Sequence, residues 1–169
     1  MSTLGTLENH DDGYTVRFEV ELPAPPDRVW AALTEPTLIE RWLAAATLDP
    51  SPGGEVNYFW PGESEMHGVI AEFDPPRRLR YSWFERDYTS QLAVDVATVG
   101  EGTSRLTLTH SATSDEDAAG FGAGWHSHLE SLRAVLSDSA TSKAVRDARY
   151  EELRPAYDEL LEAAQPTTT

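Results

Sequence analysis

A long segment of alternating residues restricts what this chain can fold into more than any other feature. From Leu48 to Ser111, apolar and polar residues alternate with a period of two, and clusters of Pro, Gly and Asp interrupt the alternation. Such a pattern predicts several antiparallel strands joined by hairpins. The segment from Met66 to Phe73 has no clear apolar face, which is consistent with a bulge. The side chains predicted to face inward are Val56, Tyr58, Trp60, Leu79, Tyr81, Trp83, Leu92, Val94, Val96, Leu106, Leu108 and His110.

The residues before this segment predict one more strand and two short helices. Residues 14–22 alternate in the same way and indicate a half-buried strand. Prolines at positions 23, 25 and 26 end that strand and favour the first turn of a helix. A break at Glu35 and Pro36 separates the two helices. Their apolar stripes are Val29, Trp30 and Leu33 in the first helix, and Leu38, Ile39, Trp42 and Leu43 in the second.

A single long helix is predicted to cover the sheet. Residues 114–137 begin with an acidic turn and carry the apolar stripe Trp125, Leu129, Leu132 and Leu136, although three glycines weaken the first half. The fold class is therefore α+β, with a curved antiparallel sheet around one long helix. A large sheet closed by one helix leaves a space between them where a ligand could bind.

The two ends of the chain are predicted to lie outside this domain. Residues 1–13 are expected to be a flexible N-terminus, with His10 disordered, and residues 14–137 form the domain. Residues 138–169 are expected to be a helical extension, in which Pro155 kinks or splits the helix. The extension could pack on its own domain or on a second copy of the chain. Its apolar residues are Tyr150, Leu153, Tyr157, Leu160 and Leu161.

Composition excludes several classes of partner. The chain has 13 basic and 29 acidic side chains, a formal charge of −16, so nucleic acid and anionic membranes are not expected partners. Cysteine is absent, which excludes disulfides and thiolate metal sites. No apolar run approaches the roughly 20 residues that cross a bilayer, and the N-terminus does not resemble a secretory signal. A cytoplasmic location is expected.

Motifs for an autonomous catalytic centre are also absent. The sequence contains no Gly-x-Ser-x-Gly elbow, no phosphate-binding Gly-Lys-Ser/Thr loop, no His-Glu-x-x-His and no dinucleotide fingerprint. No catalytic residue, cofactor or metal ligand is therefore predicted. His126 and His128 lie about 200° apart around a helix and cannot chelate one ion. His126 and Glu130 share a face and predict a surface ion pair.

The inward-facing residues form the candidate ligand cavity. The aromatic side chains could fill the core or line a pocket, and His110 and His128 could be hydrogen-bonded interior histidines, orient a ligand or transfer a proton. Glu72 would become an interior carboxylate if the bulge precedes it. The predicted cavity residues are Tyr58, Trp60, Tyr81, Trp83, Leu92, Val94, Leu106, Leu108, His110, Trp125, His128 and Leu132.

Several separated motifs resemble one known superfamily in their sequence and order. They are residues 25–34 followed by Trp42, Gly53-Gly54, Gly68, residues 74–79 with Trp83, residues 106–110, and Gly124-Trp125. Over residues 14–137 the chain resembles the SRPBCC superfamily, also called START-like or birch-pollen-allergen-like. Within it, the chain resembles homologues of the activator of the heat-shock protein 90 ATPase. The resemblance implies the helix-grip fold, in which a long C-terminal helix crosses a curved sheet and closes an apolar cavity.

The resemblance does not imply a reaction, because the superfamily includes lipid carriers, hormone receptors, polyketide cyclases and co-chaperone domains. The function expected first is binding of an apolar or aromatic small molecule, either a lipid or a polyketide-like compound. One alternative is a cyclase or aromatase in which His110, His128 or Tyr81 moves a proton. Another is a chaperone-linked or regulatory interaction module. A homodimer formed through the extension and a chaperone partner are left open.

Overall fold

Most strands form where apolar residues repeat with a period of two, and helices form where they repeat at helical spacing. The structure is a computed structural model that describes residues 3–165. The elements are β1 (Thr6–His10), β2 (Gly13–Leu22), α1 (Pro26–Thr34), α2 (Pro36–Ile39), β3 (Ala45–Leu48), β4 (Glu55–Phe59), β5 (Glu65–Asp74), β6 (Arg78–Glu85), β7 (Tyr88–Gly100), β8 (Thr103–Thr113), α3 (Asp115–Leu136) and α4 (Lys143–Ala164).

Eight strands form one antiparallel sheet in the order β1-β2-β8-β7-β6-β5-β4-β3. The inward-facing residues predicted from the alternation are buried on the face that α3 covers, apart from the half-buried Trp60. Their burial follows from the period of two, because each strand places its apolar set on the same side of the sheet. The expected α+β helix-grip fold is confirmed.

The bulge expected in β5 is present. The register between β5 and β6 shifts between Ile70 and Glu72, and the inward set before the shift is Met66, Gly68 and Ile70. After the shift, the Glu72 carboxylate lies 3.7 Å from the Arg78 guanidinium on the partly exposed surface. Glu72 is therefore not an interior carboxylate, and that expectation is corrected.

The expectation of a flexible N-terminus is corrected for residues 6–10. These residues form β1, which pairs with β2 from Thr6↔Arg17 to His10↔Gly13, so His10 belongs to a strand. Only Leu7 of β1 is buried, because β1 is the edge strand and exposes its other side chains. An edge strand with one apolar residue leaves no period of two in the sequence, which is why the alternation did not reveal it.

The two long helices pack on each other. Helix α3 is continuous, with Ser114 accepting a hydrogen bond from the Asp117 backbone N–H at its start. Helix α4 continues through Pro155, so the expected split does not occur. Pro155 and Glu151 both lie on the exposed side of α4, where water can bind the Glu151 carbonyl that proline leaves without a donor. Within residues 3–165, no helix has the length and apolar character needed to cross a membrane.

Candidate functional site

A cleft of about 1100 Å³ lies at one end of the sheet, between the turn that joins β4 to β5, the first half of α3 and the beginning of α4. Glu40, Leu43 and Ala44, which follow α2, and Ala45 at the start of β3 complete its edge. The aromatic side chains that line the cleft are Phe59, Trp60, Trp83, Phe121, Trp125 and Tyr150. The cleft therefore forms where the domain and its helical extension meet.

Four of these rings make a continuous aromatic wall: Trp60, Trp83, Phe121 and Trp125. The centroid of the Trp83 ring lies 6.2 Å from that of Trp60, 6.0 Å from Phe121 and 5.4 Å from Trp125. Trp83 and Trp125 are each only 3% exposed, so a small part of each ring reaches the cleft. The core fixes these two rings, so the aromatic edge of the cleft is held rigidly.

Four of the twelve cavity residues predicted from the sequence line this cleft, namely Trp60, Trp83, Trp125 and His128. The other eight do not line it and lie in the core between the sheet and α3: Tyr58, Tyr81, Leu92, Val94, Leu106, Leu108, His110 and Leu132. Large rings on both layers fill the space that the sequence left as a cavity. Tyr58, for example, contacts the rings of Tyr81 and Trp83.

His110 belongs to a complete hydrogen-bond chain in the core. The Trp125 indole N–H donates to His110 Nδ1 at 3.0 Å, so Nδ1 carries no proton. His110 Nε2 then donates to Ser90 Oγ at 2.7 Å, and the Ser90 hydroxyl donates to the Trp83 carbonyl at 3.3 Å. Burial lowers the pKa of His110 to about 3, so the ring is neutral at pH 7. His110 is a hydrogen-bonded interior histidine with both nitrogens occupied.

Tyr58 and Tyr81 pair with each other in the same core. Their hydroxyl oxygens lie 2.9 Å apart. Burial raises the pKa of Tyr58 to about 12, despite the hydrogen bond from Tyr81, and burial and the neighbouring Tyr58 raise the pKa of Tyr81 well above its ordinary value. Both phenols are therefore neutral at pH 7, and neither lines the cleft.

His128 is the histidine that lines the cleft. Its Nδ1 lies 3.0 Å from the Trp42 carbonyl oxygen, which can only accept, so Nδ1 carries the proton. Burial lowers the pKa of His128 to about 4, although the Trp42 carbonyl acts to raise it, and the ring is neutral at pH 7. Its Nε2 atom has no hydrogen-bond partner within residues 3–165, and this atom is not fully buried. That lone pair can accept a hydrogen bond from a molecule in the cleft.

The pairing of His126 with Glu130 is present, with His126 Nε2 3.2 Å from a Glu130 oxygen, but its predicted surface location is wrong. His126 is 1% exposed, and its Nδ1 lies 2.9 Å from the Tyr157 hydroxyl of α4. Helix α4 covers this face of α3, which the pattern of α3 alone did not reveal. In the described part of the chain, no group of three His, Asp or Glu side chains is placed to hold a metal ion.

Sequence reasoning missed the contribution of the helical extension to the site. Helix α4 supplies Lys143, Arg146, Asp147, Tyr150 and Glu151 to the cleft. The Lys143 ammonium lies 2.7 Å from Glu63 in the β4–β5 turn and 2.7 Å from Asp147 on its own helix.

Comparison with known proteins identifies related folds. A family model described as activator of Hsp90 ATPase homolog 1-like protein matches residues 23–137. CalU16 from Micromonospora echinospora is 26% identical, and the match covers 95% of this chain and 99% of that one with a TM-score of 0.76. MLL2253 from Mesorhizobium loti is also 26% identical, covering 73% of this chain and 96% of that one with a TM-score of 0.68.

An Hsp90 activator from Plasmodium falciparum, PFC0360w, is 22% identical over 76% of this chain and 99% of its own, with a TM-score of 0.62. That likeness concerns the fold. No sequence among curated proteins matches significantly. Because the CalU16 match covers 95% of this chain while the family model ends at residue 137, CalU16 also shares most of the extension that borders the cleft.

Proposed function

The chain belongs to the family of activator of Hsp90 ATPase homolog 1-like proteins, and we propose from the geometry of the cleft that it binds an aromatic small molecule there. The observation that carries this proposal is the aromatic wall beside a cleft of about 1100 Å³. Small-molecule sites typically have volumes of about 300–1,000 Å³ and are lined by apolar and aromatic side chains. Aromatic side chains at the cleft can make edge-to-face and offset contacts with the rings of a ligand, which an aliphatic chain cannot make.

The groups near the cleft support binding rather than proton transfer. Two of the three residues that a cyclase or aromatase would use, His110 and Tyr81, are hydrogen-bonded in the core and do not line the cleft. The third, His128, lines it, but a histidine with a pKa of about 4 is a weak base at pH 7. A reaction that depends on general base catalysis is therefore disfavoured.

The extension supports the same proposal over an interaction module. Leu153 and Tyr157, the buried residues of α4, pack against the chain's own domain. An apolar face used in this way is not available to a second copy of the chain. A cytoplasmic location, a homodimer and a chaperone partner remain predictions from the sequence.

A fluorescence titration tests the proposal. N-phenyl-1-naphthylamine is uncharged at pH 7 and emits strongly in an apolar environment, so its emission should rise and saturate with the wild-type protein. Gly124 lines the cleft, and a β-carbon there would meet no atom within 4 Å, so Gly124→Leu fills the cleft without entering the core. We expect this substitution to weaken binding at least tenfold.

Ala148→Leu is the matched control, because Ala148 is exposed on α4 and does not line the cleft. This control also places a leucine on a helix, but outside the cleft, so the affinity for the probe should not change. Equal affinity in Gly124→Leu and wild type would show that the probe binds elsewhere and would overturn the proposal. Absence of saturable binding to the wild type would overturn it as well.

A further inference from the structure

We infer that the molecule bound in the cleft carries a positively charged nitrogen, so that the ligand class is an aromatic compound with an alkylammonium group rather than a fatty acid or a phospholipid. This inference rests on the proposed function. It depends on three features of the cleft: its unpaired carboxylates, the position of Glu85 at the aromatic wall, and the acceptor atom of His128.

Carboxylates outnumber cations in the cleft, and two of its three cations are paired with carboxylates. Within the described residues, the acidic side chains lining it are Glu40, Glu63, Glu65, Glu85, Asp147 and Glu151, and the basic ones are Arg86, Lys143 and Arg146. Lys143 binds Glu63 and Asp147, and Arg86 lies 3.0 Å from Asp117 of α3. Arg146 donates to the Thr141 carbonyl at 2.9 Å and has no carboxylate within 4 Å among the described residues. Two of the three cations are therefore neutralised, and Arg146 is outnumbered by the carboxylates around it.

Three carboxylates of the cleft, those of Glu40, Glu85 and Glu151, form no ion pair within residues 3–165. Glu65 has only the exposed His67 ring, 3.7 Å away. A ligand carboxylate or phosphate would approach these charges and those of a chain with a net charge of −16. Clefts lined by one sign of charge concentrate ligands of the opposite sign, so the electrostatic potential here favours a cation.

Glu85 is the carboxylate best placed to bind a ligand ammonium. It is half-buried, and its Oε2 atom accepts a hydrogen bond from the Trp83 indole N–H at 3.0 Å. This bond holds the carboxylate at the edge of the aromatic wall while its other oxygen remains available. An ammonium at this position would form a charge-assisted hydrogen bond with the free carboxylate oxygen beside the aromatic wall.

His128 adds a neutral acceptor to the same cleft. Because Nδ1 donates to the Trp42 carbonyl, Nε2 presents a lone pair and no proton. Burial is the main cause of the lowered pKa of His128, and nearby Arg146 acts in the same direction. The Trp42 carbonyl, Asp147 and Glu63 oppose it, and the ring is neutral at pH 7. A ligand N–H group can donate to this atom, but a carboxylate or phosphate oxygen cannot.

Three naphthalene probes that differ in charge test the inference: 1-naphthylmethylamine, which is protonated at pH 7, neutral 1-naphthylmethanol, and anionic 1-naphthylacetate. Each is titrated calorimetrically at low salt and at 500 mM NaCl. We expect the amine to bind at least tenfold more tightly than the alcohol, and the acid most weakly. The difference should shrink at high salt because mobile ions screen exposed charges.

A pair of substitutions assigns the preference to the cleft. Glu85→Gln should reduce the advantage of the amine over the alcohol at least threefold and leave the affinity for the alcohol within twofold. Glu162→Gln removes an exposed carboxylate near the end of α4, outside the cleft, and should change neither value. An unchanged advantage in Glu85→Gln would overturn the role of Glu85.

The outcomes separate this inference from the proposed function. If the alcohol binds and the amine binds no more tightly, the charge preference is overturned while binding of aromatic molecules in the cleft stands. If none of the naphthalene probes and no N-phenyl-1-naphthylamine binds, the proposed function itself fails. Tighter binding of the acid than of the amine would contradict the electrostatic argument directly.

Discussion

Gly122 of α3 and Tyr157 of α4 are in direct contact, and the Tyr157 ring fills the space that a β-carbon on Gly122 would occupy. The Tyr157 hydroxyl accepts a hydrogen bond from the Gly5 backbone N–H at 2.9 Å and lies 2.9 Å from His126 Nδ1. Tyr157 of the helical extension thus contacts both Gly5, the residue before β1, and the middle of α3. This contact fixes α4 at the position from which it borders the cleft.

Gly122→Ala is expected to destabilise the protein by about 1–3 kcal/mol, because the new methyl group collides with a ring that cannot move freely. Gly124→Ala is the matched control on the same helix, where a β-carbon meets no atom within 4 Å. It should stabilise the protein by about 0.5–1 kcal/mol, since alanine favours the helix more than glycine does. Urea unfolding measures both values, and equal changes would contradict the assignment of the contact.

The same contact explains which part of the structure could be predicted from the sequence. The inward positions of Tyr58 and Trp83 follow from the alternation, because a strand has a fixed period and the sheet needs one covered face. The apolar residues of α4 were identified from their spacing, but the surface that they cover was left open. The close contact of Gly122 with Tyr157, 35 positions apart in the sequence, has no periodic marker. His126 was therefore expected at the surface although it is buried.

The residues of the cleft also divide into those that periodicity predicts and those that only tertiary contacts place there. Trp60, Trp83, Trp125 and His128 were predicted as site residues from strand and helix periods, and they line the cleft. Its residues from α4 were not predicted, because the position of that helix is set by tertiary contacts. The eight predicted residues that lie in the core were assigned to a cavity because a period shows only which face is covered. It does not show whether side chains fill the space.

Stability should fall as the pH is lowered from about 6.5 to 4. The pKa values of His110 and His128 are lowered in the folded protein to about 3 and 4, whereas a histidine in the unfolded chain titrates near 6.5. Below pH 6.5 the unfolded chain binds more protons, so these two rings stabilise the fold fully above that pH and progressively less below it. Each ring contributes a slope of up to about 1.4 kcal/mol per pH unit in this window.

Urea unfolding of His128→Gln between pH 6.5 and 4.5 measures the contribution of one of these rings. Glutamine does not titrate, so the pH slope of the unfolding free energy should decrease by about 1 kcal/mol per pH unit. His67→Gln replaces an exposed histidine and serves as the control. An identical slope in His128→Gln and wild type would show that His128 is not buried in its neutral form.

Alkaline titration should distinguish Tyr58 and Tyr81 from exposed phenols. Burial raises the pKa of both, and that of Tyr58 reaches about 12, so they should remain protonated while ordinary phenols ionise near pH 10. The stabilisation from the neutral pair is present below pH 10 and is lost as the pH rises beyond it. Absorbance at 295 nm should show these two phenols ionising only when the protein unfolds, and Tyr81→Phe should remove one of them from that late step.

Lys143→Gln should raise the affinity of the cleft for 1-naphthylmethylamine about threefold while changing stability by less than about 1 kcal/mol. Lys143 is about half exposed, and exposed ion pairs contribute little to folding, so its loss costs little. The substitution frees Glu63 and Asp147, which both line the cleft, and so increases its negative charge. Arg105→Gln removes a cation on the exposed face of β8, away from the cleft, and should change the amine affinity less. A lower amine affinity in Lys143→Gln would instead mean that the bridge from α4 to the β4–β5 turn holds the cleft in its binding shape, and that charge is the weaker of the two effects.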